Sequence, residues 1–399
     1  MSRRLIGVGH HLAVQRQPKL RQEVVCFAHT ELPVRLAALA QLTARLPPAT
    51  LALASVVKYD AELQLLQTSP DLAEAVGMLD ARLQHLASEL QRWLSGEAQR
   101  RAALRVGVPS GWAAHEAADG RPYYHSVLGV TQWELPTAAA AVPAAAELPS
   151  GDALPQQAAI DAFFGSAYGL YGGLRLLSHQ LAWIEGERAG GEHVQPVASE
   201  GVNLLELAED TAFDAVGFAR EKMGVTADIT FGGDAALTTV CVERDLRFAL
   251  HEVLKNALTA HQSQYGTDAD LGPAIEVSAV ARAGGRRCLT VRDRGAGLTA
   301  AQMKRARSWL STKVENDVSA GEVGGRNDDE AQWRYTRLMG AQYSGYGAGL
   351  PLAEIMCRAM GGGLAMRSDF GVGNKAADPQ EGGGCEVEIW VDAEGRVYG

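Results

Sequence analysis

The chain has 399 residues, 47% of them hydrophobic, and a formal net charge of −10. This length allows two or three domains, and the apolar content is that of a folded protein rather than a disordered one. The negative charge argues against a general nucleic-acid or anionic-membrane binder, because nothing would offset the repulsion of phosphates. The five cysteines are scattered without metal-binding spacing, which favours a reducing compartment.

The N-terminus differs from the rest of the chain because its first acid is Glu23. The basic residues that precede this acid are Arg3, Arg4, Arg16, Lys19 and Arg21. Two interpretations remain open at this point, an Arg-rich organelle transit segment and a basic start to the first helix.

Residues 31–105 are predicted to be helical. Within 72–94 the apolar side chains recur at alternating intervals of four and three residues, which makes one narrow stripe, as in a helix of a bundle. An Ala/Pro-rich stretch at 138–154 is typical of a linker. The helical pattern returns from about 160 to 184, and we expect that helix to join the same bundle.

Strand and helix patterns alternate after residue 200. The predicted helices are 203–223, 244–262 and 350–360, and the predicted strands are 227–231, 238–242, 274–280, 287–292 and 385–391. Such alternation predicts an α/β sandwich with helices on one face of a mixed sheet.

The predicted helix 244–262 carries polar residues close to its apolar face. Glu252 and Asn256 are four residues apart and therefore share one side of the helix. An Asn amide oxygen is a hard, neutral ligand suited to Mg²⁺, and a Glu one turn earlier can hold a hydroxyl near a phosphate. A solvated face with an incidental polar triplet, including Lys255, explains the same pattern.

Two glycine-rich segments have the properties of a nucleotide site. In "VRDRGAGL" the carboxylate of Asp293 follows a strand and can accept from an exocyclic amine, while Gly295 and Gly297 permit a sharp turn. In "SGYGAGLPLAEIM" alternating glycines precede a helix whose first amides can cradle phosphate. Each motif is weak alone, and their order along the chain is what makes them specific.

In that order the motifs resemble the superfamily of histidine kinases, DNA gyrase and Hsp90-type ATPases, and more closely the mitochondrial 2-oxoacid dehydrogenase kinases. The segments that carry the resemblance are "ELPVRLA" (31–37), "LHEVLKNALTA" (250–260), "VRDRGAGL" (291–298), "WLSTK" (309–313) and "SGYGAGLPLAEIMCRAMGGGL" (344–364). The resemblance implies an α+β fold, with an N-terminal four-helix bundle and a C-terminal GHKL α/β sandwich. The bundle would comprise 23–105 and 155–188, and the ATP-binding kinase domain 200–393.

The resemblance also implies a protein serine kinase that uses ATP and Mg²⁺ to phosphorylate and inactivate the E1 component of a 2-oxoacid dehydrogenase complex. Glu252 would be the general base, Asn256 would ligate the magnesium, and Asp293 would bind adenine. The other nucleotide contacts would be Gly295, Gly297, Ser311, Thr312, Gly345, Gly347, Gly349 and Leu350. E1 and the E2 lipoyl domain are the partners implied, a homodimer is compatible with them, and neither nucleic acid nor a membrane span is expected. The location implied is the mitochondrial matrix, with the cytoplasm as the alternative.

Three features depart from the family pattern. Phe248 stands where pyruvate-type relatives carry a histidine that pairs with the base, and Asn374 stands where a threonine usually contacts phosphate. The helix predicted at 160–184 contains four glycines and extra residues where the family has a regular helix. These departures favour a degenerate, non-catalytic ATP-binding scaffold as one alternative. A histidine autokinase is another, since His179 lies on a helix before the ATP-binding half.

The aromatic segment 106–137 resembles a WW domain, through "VPSGWAAHEAADGRPYYHSVLGVTQWELP" (108–136). The resemblance implies a three-stranded sheet in which Tyr123 and Trp133 face outward as a slot for Pro-rich peptides. The residues that would form its small core are Trp112, Tyr124 and Pro136. An aromatic loop packed against the bundle is the alternative interpretation.

Overall fold

The computed structural model describes residues 8–42, 112–116, 122–126, 131–134, 157–189, 195–266, 272–310, 348–368 and 383–394, and also the single residues 46, 83, 86, 87 and 90. Several residues singled out in the sequence lie outside the described residues, among them Ser311, Thr312, Gly345, Gly347 and Asn374.

The N-terminal half is helical where it is described outside a small sheet. The helices are α1 (Val8–Arg16), α2 (Pro18–Leu42) and α3 (Gln157–Ala189). The apolar stripe predicted in 72–94 supplies Leu83, Leu86 and Leu90, which are fully buried in the same core cluster as Leu39 of α2 and Phe163 of α3. Burying each such leucine contributes about 1.5–3 kcal/mol. Much of the predicted four-helix bundle lies outside the described residues, so the number of its helices stays a prediction.

Helix α3 is longer than predicted, and its four glycines do not interrupt it. Gly173 shows why a glycine is useful there. A Cβ at this position would lie 2.1 Å from Nη1 of Arg35, whose side chain is buried against α3. The glycine therefore makes room for a guanidinium inside the helical core.

The C-terminal half alternates strands and helices, as the sequence predicts. Its elements are β4 (Ser199–Asn203), α4 (Leu204–Met223), β5 (Ile229–Gly233), β6 (Thr238–Cys241), α5 (Glu243–Tyr265), β7 (Ile275–Arg282), β8 (Arg286–Arg292), α6 (Ala300–Ala306), α7 (Gly349–Ala359), β9 (Gly363–Ser368) and β10 (Cys385–Asp392). Five strands form one sheet in the order β5-β7-β8-β10-β9, and β4 pairs with β6. Because β5 and β7 are parallel while the other neighbours are antiparallel, the predicted mixed sheet is confirmed.

Side chains alternate in burial along the strands, and this places the helices. Ile275, Val277 and Ala279 of β7 are buried in the core cluster that α4, α5 and α7 also enter, while Glu276 between them is exposed. A strand with that pattern has one face covered and one face wet. The predicted α/β sandwich, with helices on one face of the sheet, is confirmed.

The small sheet between α2 and α3 has three antiparallel strands, β1 (Trp112–Glu116), β2 (Pro122–Ser126) and β3 (Thr131–Gln132), in that order. Tyr124 is buried and pairs with Gln132, while the side chain of Trp133 is 56% exposed. Pro136 and the side chains of Trp112 and Tyr123 lie outside the described residues. The assignment of this segment as a WW-like module stays a prediction.

No described helix combines the length and apolar character needed to cross a membrane.

Candidate active site

Helix α5 carries a buried carboxylate at the edge of the core. The apolar residues Leu250, Val253 and Leu254 bury the helix, and Glu252 beside them is only 2% exposed. Lys255 Nζ donates to both carboxylate oxygens, at 2.7 Å to Oε1 and 2.6 Å to Oε2. Since a buried charge needs a partner, this pair explains how a glutamate persists there.

Gly349, the first residue of α7, lies directly against that carboxylate. A Cβ built on Gly349 would lie 1.9 Å from Oε2 of Glu252, which is far inside van der Waals contact. The two motifs that the sequence places far apart, on the helix at 250–260 and on the glycine-rich loop at 344–356, therefore meet at one point. Leu350, the next residue, is 8% exposed and packs into the core, so its side chain belongs to the helix packing.

The neighbours of Glu252 along α5 differ in exposure. Asn256, one turn later, is exposed, so its amide projects from the core at the edge of the site. Phe248, one turn earlier, is fully buried and offers Glu252 no hydrogen bond. Burial lowers the pKa of the adjacent His251 to about 4, which keeps that imidazole neutral at pH 7.

Asp293 is held rigidly at the turn after β8. Its Oδ1 accepts from the backbone N–H of Gly295 at 2.9 Å and of Cys385 at 3.3 Å, so Oδ2 is the oxygen left to meet a ligand's amine. Burial raises the pKa of the Asp293 carboxyl, and the two backbone donors oppose that shift. Gly297 has a φ of 73°, which is the left-handed conformation that the D-x-G-x-G turn requires.

The two carboxylates lie along the same helix. A Cβ at Gly295 would lie 3.1 Å from Cβ of Ala260, so the Asp293 turn packs on α5. Ala260 is eight residues beyond Glu252, which corresponds to about 12 Å along the helix axis. The Asp293 turn and the first residue of α7 therefore contact α5 at two places about 12 Å apart.

Contacts that the sequence did not predict tie α3 to the C-terminal half. The Trp309 ring stacks on Tyr168 at 4.8 Å between centroids, with planes 3° apart, and also on Phe164. Its backbone N–H donates to Asp161 at 2.7 Å. Arg175 pairs with Asp245 on the first turn of α5 at 2.5 Å. These contacts join residues more than sixty positions apart, so no local signal could have revealed them.

Within the described part of the chain, no three His, Cys, Asp or Glu side chains are grouped as a metal would need. A magnesium ion at Asn256 would therefore take most of its ligands from phosphate oxygens and water, which is the usual manner of Mg²⁺ at phosphate sites. The exposed amide of Asn256 fits that role.

Comparison with known proteins agrees with this geometry. Residues 241–395 match the family model described as histidine kinase-, DNA gyrase B-, and HSP90-like ATPase. The resemblance inferred from the motifs is confirmed to this extent.

Two curated relatives narrow the class. The chain is 27% identical over 205 residues to the mitochondrial [pyruvate dehydrogenase (acetyl-transferring)] kinase of Schizosaccharomyces pombe, covering 50% of this chain and 45% of that one. It is 25% identical over 174 residues to the protein of the same name from Arabidopsis thaliana, covering 43% and 44%. The chain spans about half the length of the curated relatives it matches, and together these likenesses support a kinase-like, ATP-binding function.

Proposed function

We propose that the chain is an ATP- and Mg²⁺-dependent protein serine kinase acting on the E1 component of a 2-oxoacid dehydrogenase complex. The observation that carries the proposal is the position of Glu252. Its carboxylate is buried, is held by Lys255, and lies against Gly349 at the start of α7. The first turn of α7 is where we expect phosphate to bind, and both curated relatives are named as pyruvate dehydrogenase kinases.

In the proposed reaction the hydroxyl group of a substrate serine donates a hydrogen bond to the Glu252 carboxylate. The serine oxygen attacks the γ-phosphorus of ATP, the bond from that phosphorus to the bridging oxygen breaks, and the proton passes to Glu252. Phosphoryl transfer needs positioning and charge neutralisation more than covalent help, and a positioned general base contributes about 10²–10⁴-fold. Lys255 balances the buried charge of Glu252 before the serine arrives.

The nucleotide would lie along α5. Asp293 Oδ2 would accept from the exocyclic amine of adenine, and Gly295 and Gly297 would shape the turn beneath the base. Asn256 would hold Mg²⁺, which when bound neutralises phosphate charge. The further contacts that we propose from the family resemblance are Ser311, Thr312, Gly345 and Gly347.

The small sheet at 112–134 would recruit partners. Trp133 is more than half exposed while Tyr124 is buried, and an exposed aromatic beside a minimal core suits the recognition of proline rings. We propose that this WW-like module brings Pro-rich partners to the kinase. By the same family resemblance, we propose a matrix location, contact with the E2 lipoyl domain and a homodimer.

A second candidate function is a non-catalytic ATP-binding scaffold. Its supporting observation is Phe248, which fills a buried position one turn before Glu252 and leaves that carboxylate with Lys255 as its charged partner in α5. A histidine autokinase would instead use His179, which is half-buried on α3.

One assay separates these functions. Purified chain is incubated with E1, Mg²⁺ and γ-labelled ATP, and the product is analysed for phosphoserine and for acid-labile phosphate. Labelled serine on E1 supports the serine kinase, acid-labile label on the chain itself supports the autokinase, and ATP binding without transfer supports the scaffold. For the serine kinase, Glu252→Gln is expected to lower transfer by about 10²–10⁴-fold while ADP still binds.

A further inference from the structure

Gly349 is a glycine for a reason of space. A Cβ there would lie 1.9 Å from Oε2, 2.7 Å from Cδ and 3.3 Å from Cγ of Glu252. At Gly224 and Gly297 a positive φ favours glycine, but the backbone of Gly349 does not have a positive φ. The glutamate side chain thus occupies the volume that any other residue at 349 would fill.

Helix α7 also lacks an N-cap of its own. Ala348 stands at the N-cap position, its side chain makes no capping hydrogen bond, and the first turn of the helix contains no acid. An anion near a helix N-terminus is stabilised by the helix dipole and by the unsatisfied amides. The Glu252 carboxylate, contributed by α5, lies at that end of α7.

The opposite side of the carboxylate is closed by Lys255. The Glu252 side chain is 3% exposed and the Lys255 side chain is 15% exposed, so the ion pair is largely shielded from water. Between the ammonium group and the first residue of α7, the carboxylate has little freedom to move. One contact therefore fixes both the proposed base and the start of the proposed phosphate-binding helix.

We propose that Gly349 is a positioning residue. The Glu252 carboxylate occupies the space left by the missing side chain of Gly349, and Lys255 holds the carboxylate in that position. The consequence for catalysis rests on the function proposed above. The packing of the Glu252 carboxylate against Gly349 is a property of the folded chain and is tested without nucleotide or E1.

The first test is a double-mutant cycle read by thermal unfolding of the full chain. Gly349→Ala is introduced into the natural chain and into Glu252→Ala. Alanine is the better helix former, so the only expected penalty is its collision with the carboxylate. We expect Gly349→Ala to lower Tm in the natural chain and to leave it unchanged or raise it in Glu252→Ala.

A matched control is Gly217→Ala. Gly217 is an exposed glycine inside α4, and a Cβ there would meet nothing within 4 Å. This substitution should raise Tm slightly, or leave it unchanged, in both backgrounds. If Gly349→Ala shifts Tm equally in both backgrounds, the collision does not exist and the proposal is wrong. If Gly349→Ala alone fails to fold, recovery of folding in Glu252→Ala/Gly349→Ala supports the proposal and its absence overturns it.

The second test reads catalysis. Displacing a reacting group by about 1 Å costs about 100-fold in rate, so Gly349→Ala should lower kcat for E1 phosphorylation on that scale with KM for E1 little changed. Lys255→Met should lower kcat in the same way, and Lys255→Arg should restore part of the loss. A raised KM with unchanged kcat would contradict a positioning role. If the natural chain phosphorylates nothing, the proposed function fails. The unfolding cycle still decides whether Gly349 positions the Glu252 carboxylate.

Discussion

Helix α5 carries two buried ion pairs that are nearly equal in local geometry. Asp245 and Glu252 each accept two bonds from one cation, Arg175 at 2.7 and 2.5 Å and Lys255 at 2.7 and 2.6 Å. Exposure is matched as well, with 14% and 3% for the first pair and 15% and 3% for the second. Burial and pairing alone do not distinguish them.

The surroundings of the two ion pairs distinguish them. Arg175–Asp245 bridges α3 and α5, so it joins the helical half to the nucleotide-binding half. Lys255–Glu252 lies within α5 and faces the first residue of α7. The first pair holds two elements together, whereas the second places a carboxylate beside a helix N-terminus. We infer that Arg175–Asp245 is structural and that Lys255–Glu252 serves the chemistry, and the following predictions test that division.

The largest expected effect on stability comes from breaking the structural pair. Asp245→Ala leaves the largely buried charge of Arg175 without this carboxylate, and removing one partner of a buried pair costs about 3–5 kcal/mol. The free energy of unfolding, measured by urea denaturation, should fall by that amount. Replacing both partners, as Arg175→Met/Asp245→Leu, should recover most of the loss. A fall below about 1 kcal/mol, the value for an exposed pair, would show that the pair does not hold the halves together.

A smaller effect is expected at Asp293, the carboxylate that we propose accepts from adenine's amine. Asp293→Asn keeps an oxygen for the backbone donors but replaces the other oxygen with an NH₂ group, which cannot accept from adenine's amine. A hydrogen bond to a charged group is worth about 1.5–3 kcal/mol, so ADP affinity by calorimetry should fall about 10–150-fold. The unfolding midpoint should change little. Unaltered ADP affinity would remove Asp293 from the nucleotide site.

The sequence predicted the surroundings of Glu252 much better than those of Asp245. The apolar period around Glu252 predicted a buried helix at 244–262, and α5 is observed at Glu243–Tyr265. Hydrophobic alternation likewise predicted β7 and β10 within two residues at each end. The Asp245 pair was missed because Arg175 is 70 residues away and only the tertiary fold brings them together.

Other features depended on the fold in the same way. Strand β4, "SEGVN", has no hydrophobic alternation and is ordered by its pairing with β6. The glycine-rich motif predicted that Gly349 approaches phosphate closely, yet the atom nearest to its missing side chain belongs to Glu252. A pattern of residue types does not encode which side chain fills a given space.

Lowering the pH should reduce the stability of the fold, because each half of the chain contains a buried histidine. Burial lowers the pKa of His11 in α1 and of His251 in α5 from 6.5 to about 4. The unfolded chain therefore binds more protons than the folded chain between these values, so stability falls as the pH drops from about 6.5 towards 4 and is unaffected by these groups above about 7. Each histidine contributes a slope of about 1.4 kcal/mol per pH unit.

Urea unfolding at pH 7.0, 6.0 and 5.0 measures this slope. His11→Gln should reduce it because glutamine does not titrate. An equal slope in the natural chain and in His11→Gln would mean that His11 does not contribute.

The smallest expected effect is the coupling energy between the two stacked rings that join α3 to the C-terminal half. Tyr168 and Trp309 are almost parallel at 4.8 Å, and such pairs contribute about 0.5–1.5 kcal/mol beyond the area they bury. A double-mutant cycle with Tyr168→Leu and Trp309→Leu, read by urea unfolding, should give a coupling energy in that range. Zero coupling would show that the stack adds nothing beyond the area that its two rings bury.

The central claim is that Glu252 serves the reaction while Asp245, with equal burial and equal pairing, does not. The most direct measurement compares Glu252→Gln with Asp245→Asn in one experiment that records phosphoserine on E1 and the unfolding midpoint of each variant. We predict that Glu252→Gln lowers phosphorylation by about 10²–10⁴-fold, and that Asp245→Asn lowers the midpoint while the chain that remains folded still phosphorylates E1. Phosphorylation by Glu252→Gln at the rate of the natural chain would contradict the account.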